Sequence, residues 1–98
     1  MSFVQKHPET TQRSIWHVAV EKTQQLAHAV KYRRVDGKHC NAVREVLEAL
    51  PLATAEFARL TNHLANAERY LRSDEHGAAA YELNLLHGAL RAHSALQA

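Results

Sequence analysis

The sequence predicts an all-α fold, an antiparallel bundle of three to four helices, and three observations carry that expectation. Ala53, Phe57, Leu60, Leu64, Ala67 and Leu71 recur at alternating steps of four and three, which holds six apolar side chains on one helical face. Gly and Pro are scarce, three and two residues among 98, so few positions break a helix. Alanine is abundant and β-branched runs are absent, which favours helix over strand. Arg59, Asn62, Asn66, Arg69 and Arg72 interrupt the apolar positions of 53–71. That stretch must therefore bury its seam against neighbouring helices.

Residues 1–7 read as an N-terminal arm whose Phe3 and Val4 can fold back onto the bundle. Pro8 suits a first helical turn and Glu9 suits the positive end of the helix dipole, so the first helix is expected over about 8–34. Its inward face is Ile15, Trp16, Ala19, Thr23, Leu26 and Val30; its outward face is His17, Glu21, Gln24, His28 and Lys31. At this length the helix would run roughly 40 Å, long for a chain of this size. Asp36-Gly37 is expected to end it, with Gly37 free to take a positive φ.

The second helix is expected over 39–50, with Asn41 a candidate N-cap and Val43, Val46, Leu47 and Leu50 its apolar stripe. Pro51 either opens the third helix, over 51–72, or kinks one continuous helix. Ser73-Asp74 is the cap signal for a fourth helix over 74–94. On it Ala79, Leu83, Leu86 and Leu90 form one stripe, and Leu85, Ala89, Ala92 and Leu96 a second, part of a turn away. Together they make an apolar arc wider than one neighbouring helix needs. Gly77 and Gly88 lie on another face, near Tyr81 and Asn84, where they weaken this helix and let another backbone come close.

Length and composition fit one helical-bundle domain over 1–98. No apolar run approaches the ~20 residues of a membrane span, and the N-terminus has no apolar signal core. The cytoplasm is the default expectation. A formal charge of +2 is too small to imply nucleic acid by itself. Cys40 stands alone, so neither an internal disulfide nor a cysteine zinc site is expected, and no cofactor is assigned. Eight histidines make a pH- or metal-responsive bundle one alternative.

Four groups of residues bear on function. Lys31, Arg33, Arg34, Lys38 and His39 form a basic turn suited to phosphates, relieved only by Asp36. Glu56, His63 and Tyr70 recur every seven residues at the margin of the apolar seam, with Lys22 and His93 comparably placed. Such groups bridge helices or, when three or four converge, hold a metal. His17, Glu21, Gln24 and His28 make a solvated face of i,i+4 pairs. Finally, Arg69 or Arg72 precedes His76 at the junction of the third and fourth helices.

The spacing from Arg69 to His76 resembles the Arg-x4-6-His motif of HEPN-type ribonucleases, small helical bundles that usually dimerise. That resemblance covers eight residues and implies an arginine and a histidine acting on an RNA phosphodiester. Tyr70 follows Arg69 where that family often has a polar residue, and Arg33 and Arg34 with His39 fit the same pattern. The leading expectation is a non-enzymatic protein–protein interaction module, a regulator or adaptor that forms a homodimer. Its candidate interface is Leu85, Ala89, Ala92 and Leu96. The alternative is a nucleic-acid-binding protein or HEPN-like ribonuclease using Arg69, Arg72 and His76, or contacting nucleic acid through Lys31, Arg33, Arg34 and Lys38.

Overall fold

The computed structural model describes residues 14–97, and these form four helices without a strand. They are α1 (Ile15–Lys31), α2 (Gly37–Ala49), α3 (Thr54–Arg72) and α4 (His76–Gln97). The helices pack on one another as an all-α antiparallel bundle. Helix α4 lies against both α1 and α3, while α2 closes one side against α1 and, less extensively, α3.

The apolar spacing sets which faces meet. Helix α1 buries Trp16, Ala19, Thr23, Leu26, Ala29 and Val30. Thr23 is the polar member, and its hydroxyl donates to the Ala19 carbonyl at 2.8 Å, so burial leaves no unmet donor. Helix α2 buries Cys40, Val43, Val46 and Leu47, with Leu50 behind them; α3 buries Leu60, Leu64 and Ala67. Ala79, Leu83, Leu86 and Leu90 of α4 lose all their exposure between α1 and α3. Phe57 and Leu71 pack partly buried at the edge of the same cluster, whereas Ala53 lies outside the helix.

The boundaries differ from the sequence expectation at almost every junction. The arm at 1–7 and the helix start at Pro8 lie outside the described residues. Within them, α1 begins at Ile15, because Ser14 is extended in ψ and its side chain accepts from the Trp16 N–H at 3.1 Å. Helix α1 ends at Lys31, three residues before the expected 34. Arg33, not Gly37, takes the left-handed conformation, with φ 58°. The Arg34 N–H then reaches back to the Ala29 carbonyl at 2.7 Å, a Schellman closure. Helix α3 ends the same way: Asp74 has φ 59°, and the Glu75 N–H meets the Tyr70 carbonyl at 2.8 Å. Ser73 and Asp74 therefore terminate α3 and precede α4, which starts at His76 and runs three residues past 94.

Helix α2 starts at Gly37, earlier than expected, because Asp36 is a stronger cap than Asn41. The Asp36 carboxylate accepts from the Lys38 and His39 N–H groups at 2.9 and 3.2 Å, and the His39 ring accepts from the Asp36 N–H at 3.2 Å. These two N–H donors and the neighbouring charges of His39 and Lys38 hold the carboxyl below its ordinary pKa. Asn41 instead sits inside the helix, accepting from Arg44 at 3.2 Å. Pro51 neither kinks a continuous helix nor opens α3. Its ring excludes helical geometry at Leu50, which is extended with ψ 142°, and α3 begins only at Thr54.

Two alanine substitutions on α4 have opposite expected effects. Leu83→Ala removes a fully buried side chain and lowers stability by about 2–5 kcal/mol. Gly88→Ala adds a methyl that meets nothing within 4 Å and raises stability by about 0.5–1 kcal/mol through helix propensity. Urea unfolding followed by circular dichroism measures both.

Candidate functional site

Helix α4 has two apolar faces and neighbours for only one of them. Opposite the buried row 79–83–86–90, helical spacing lines up Tyr81, Leu85, Gly88, Ala92 and Leu96. All five are exposed; Tyr81 is 62 %, Leu85 40 % and Leu96 80 % accessible. Three of these are among the four exposed large hydrophobic residues of the described chain, the other being Tyr32. Isolated exposed apolar side chains are ordinary, but a row of them on one face marks a surface to be covered. Of the four expected interface residues, Leu85, Ala92 and Leu96 stand on this face. Ala89 is turned to its edge and packs partly buried against the core. Tyr81 and Gly88 belong to the row as well, although the sequence reading had set them on another face.

On the α3 side the row is bordered by polar pairs. The His63 ring and the Glu82 carboxylate meet at 2.9 Å, and the Asn66 amide donates to the same Glu82 oxygen at 3.3 Å. Arg69 in turn donates to the Asn66 side-chain oxygen at 2.6 Å. Further along, His93 of α4 meets Glu56 of α3 at 2.9 Å, and Arg59 grips Glu56 with two bonds of 2.8 and 2.7 Å. Each helix thus supplies one His and one Glu, in opposite order. The seam-margin residues Glu56 and His63 are interhelix clamps, and Tyr70 packs partly buried on the core. Arg59 and then His93 pull the Glu56 carboxyl down to about 2 from 4.5; His63 first, with Asn66, lowers that of Glu82.

On the α1 side the border is Arg91 and a groove between α1 and α4; a further groove lies between α1 and α2. One groove, of about 470 Å³, is lined by His28, Lys31 and Arg33 from α1 and the following turn, and by His76, Gly77 and Asn84 from α4. No acidic side chain is among the described residues lining it, although Asp74 comes within 3.3 Å of His76. A second groove, of about 720 Å³, takes Arg34 and His39 together with Glu21 and Gln25. The basic turn is therefore split: Lys31 and Arg33 open one way and Arg34 the other, while Lys38 lies in the first turn of α2. The Lys31 ammonium rests over the Tyr32 ring, 5.5 Å from its centre.

The expected Arg–His pair does not come together. Arg72 lines a groove with Asp36, Cys40 and Glu68, whereas His76 lines the groove between α1 and α4. Arg69 is held by Asn66 on the exposed side of α3. Cys40 is buried, and desolvation, followed by the nearby Glu68, pushes its thiol pKa up, the opposite of an activated nucleophile. Glu68 is itself paired with Arg44, whose guanidinium it holds more firmly protonated. His87, on the α1 side of α4, has its pKa lowered chiefly by burial and then by Arg91. Among the described residues no three His, Cys, Asp or Glu side chains are grouped to hold a metal ion. Among the described residues no helix is long and apolar enough to cross a membrane.

No protein-family model, no curated protein and no solved structure matches this chain.

The clamp on Glu56 has a pH signature. A carboxyl whose folded pKa is depressed stabilises the fold above its unfolded value and loses that contribution as pH falls through the folded value. Glu56→Gln is therefore less stable than wild type at neutral pH. The difference shrinks as pH drops from 4.5 and is gone below about 2. Denaturant midpoints of the two proteins across this range measure it.

Proposed function

We propose that this protein is a small non-enzymatic helical-bundle protein that works by protein–protein contact, as a homodimeric regulator or adaptor. The observation that carries the proposal is the solvent-facing row Tyr81, Leu85, Ala92 and Leu96, on the same helix that supplies the deepest core residues. A helix apolar on opposite faces is stable in water only when both are covered, and one bundle covers one. A second copy of the chain is the partner always available at matching concentration, and closed two-fold pairs are the commonest outcome for such a surface. The side chains best suited to chemistry are engaged elsewhere: the His–Glu pairs clamp α3 to α4, and Cys40 is buried. A cytoplasmic setting is part of the proposal.

A second reading has its own observation. The groove holding His28, Lys31, Arg33 and His76 is cationic, which suits a phosphate-bearing partner such as a nucleic acid. Its phosphate contacts would give binding that weakens steeply with salt. Lys31→Glu with Arg33→Glu would abolish a gel shift that wild type shows at low ionic strength.

The interaction reading predicts that Leu85→Glu with Leu96→Glu converts a dimer to a monomer in analytical ultracentrifugation. Both positions are exposed in the single chain, so the variant stays folded and helical, while its unfolding midpoint falls to the concentration-independent value of a monomer. A folded double variant that still assembles normally removes this face from consideration.

A further inference from the structure

We propose that the groove between α1 and α4 binds a single phosphate monoester, the dianionic phosphate at the end of its carrier. This rests on the second reading above and narrows it: the group recognised is a terminal phosphate, not a run of backbone diesters.

Four basic side chains line this groove from three segments. His28 and Lys31 come from the last turn of α1, Arg33 from the turn after it, and His76 from the start of α4. The side-chain amide of Asn84 adds a neutral donor. Elsewhere in the bundle Arg44 and Arg59 are held by Glu68 and Glu56, whereas Lys31 and Arg33 meet no carboxylate among the described residues. The His76 Nδ1 is buried without a hydrogen-bond partner. Asp74 stands 3.3 Å from it but is 85 % exposed, where water and salt screen its charge.

The backbone supports the same assignment. Arg33 holds the left-handed conformation, where glycine is the usual residue and a side chain is unfavourable. The unfavourable turn sets its guanidinium on the groove that Lys31 lines and sends Arg34 to the other. On α4 the first amide with a backbone acceptor is that of Ala79, on Glu75. Among the described residues no side chain caps the N–H groups of Gly77 and Ala78 before it. Gly77 lines the groove, with open space where a Cβ would stand. Unmet N–H groups at the positive end of a helix add to the pull of the side chains on an anion.

The distribution of charge selects a monoester over a polynucleotide backbone. A terminal phosphate carries nearly two charges and three strong acceptor oxygens, which suits donors arriving from α1, the turn and α4 together. A strand instead needs cations repeated along a track. Here the neighbouring cations diverge: Arg34 lines the groove between α1 and α2, Lys38 lies in the first turn of α2, and Arg72 lines a third groove. At about 470 Å³ the α1–α4 groove has room for the phosphate and part of its carrier, against an apolar side of Ala27, Val30 and Ala80.

Amide NMR at neutral pH reads the site, because Gly77 is the one glycine of the chain's three that lines this groove. Inorganic phosphate and adenosine monophosphate are expected to shift the Gly77 amide and leave those of Gly37 and Gly88 in place; adenosine shifts none of them. Arg33→Gly is the decisive variant. Glycine suits its left-handed backbone, so the unfolding midpoint rises, while affinity for adenosine monophosphate falls about tenfold or more. Arg34→Gln keeps wild-type affinity. If Arg33→Gly binds as well as wild type, if Arg34→Gln loses as much, or if adenosine acts like its monophosphate, the inference is overturned. A short DNA strand with a phosphorylated end, set beside the same strand with a hydroxyl end, separates the two readings. Binding of the phosphorylated strand alone supports the inference, and binding of the monophosphate but of neither strand supports it with a small molecule as carrier. Equal binding of both strands overturns it and leaves the nucleic-acid reading standing. If neither the strands nor the monophosphate bind, both fail.

Discussion

Leu83, Leu86 and Leu90 lose all contact with water because α4 lies between α1 and α3, and the rest of the bundle depends on that placement. Helix α1 must present Trp16, Ala19, Thr23, Leu26 and Val30 to one side of α4. Helix α3 must present Leu60, Leu64 and Ala67 to the other side. Helix α2 then fills the remaining angle with Val43, Val46 and Leu47. The same placement turns the back of α4 to solvent, and the back is also apolar. Core construction and surface exposure are therefore two results of a single packing decision.

The polar pairs along α3 and α4 fix what leucine packing alone leaves loose. Apolar side chains of similar size tolerate a slip of one turn along a helix; His–Glu contacts of 2.9 Å at two levels of the hairpin, one midway along α3 and one at its open end, do not. Placing His on α3 and Glu on α4 at one level, and the reverse at the other, makes the two contacts independent reports of one register. It also keeps both carboxylates paired at the border of the apolar row, so no bare charge borders the exposed face on that side.

Much of this architecture was legible in the sequence, because helical periodicity is a local property. The rows 79–83–86–90 and 43–46–47–50, and the extra row through Leu85, Ala92 and Leu96, follow from spacing alone. Junctions were less legible, because capping is a competition. Asp36 closes a box with His39 that Asn41 could not match, and Arg33 accepts the left-handed position expected of Gly37. The fate of the functional candidates depended on those junctions. A left-handed Arg33 sends neighbouring cations into different grooves, which dissolves the basic turn as a single patch. The turn at 73–75 separates Arg72 from His76. Glu56, His63 and His93 were recognisable as seam-margin groups, but their pairing required the hairpin register that no local pattern encodes. Tyr81 was misplaced because it was grouped with Asn84 rather than with Leu85, its neighbour four residues on.

Trp16 is the sole tryptophan of the chain, and its position gives the protein a built-in optical reporter. The indole is 5 % accessible and stacks on the His93 ring at 5.1 Å, and that ring is bonded to Glu56. Three helices meet at one fluorophore: α1 carries it, α4 supplies the ring, and α3 holds the ring in place. Its emission consequently follows the joint where the N-terminal end of α1 meets the C-terminal half of α4. Helix α2 contains no Trp, Tyr or Phe, so its undocking would go unseen at these wavelengths. A fluorescence transition and a far-ultraviolet dichroism transition on this protein are thus reports on different sets of helices, and their coincidence is a direct measure of how cooperatively the fourth element is attached to the other three.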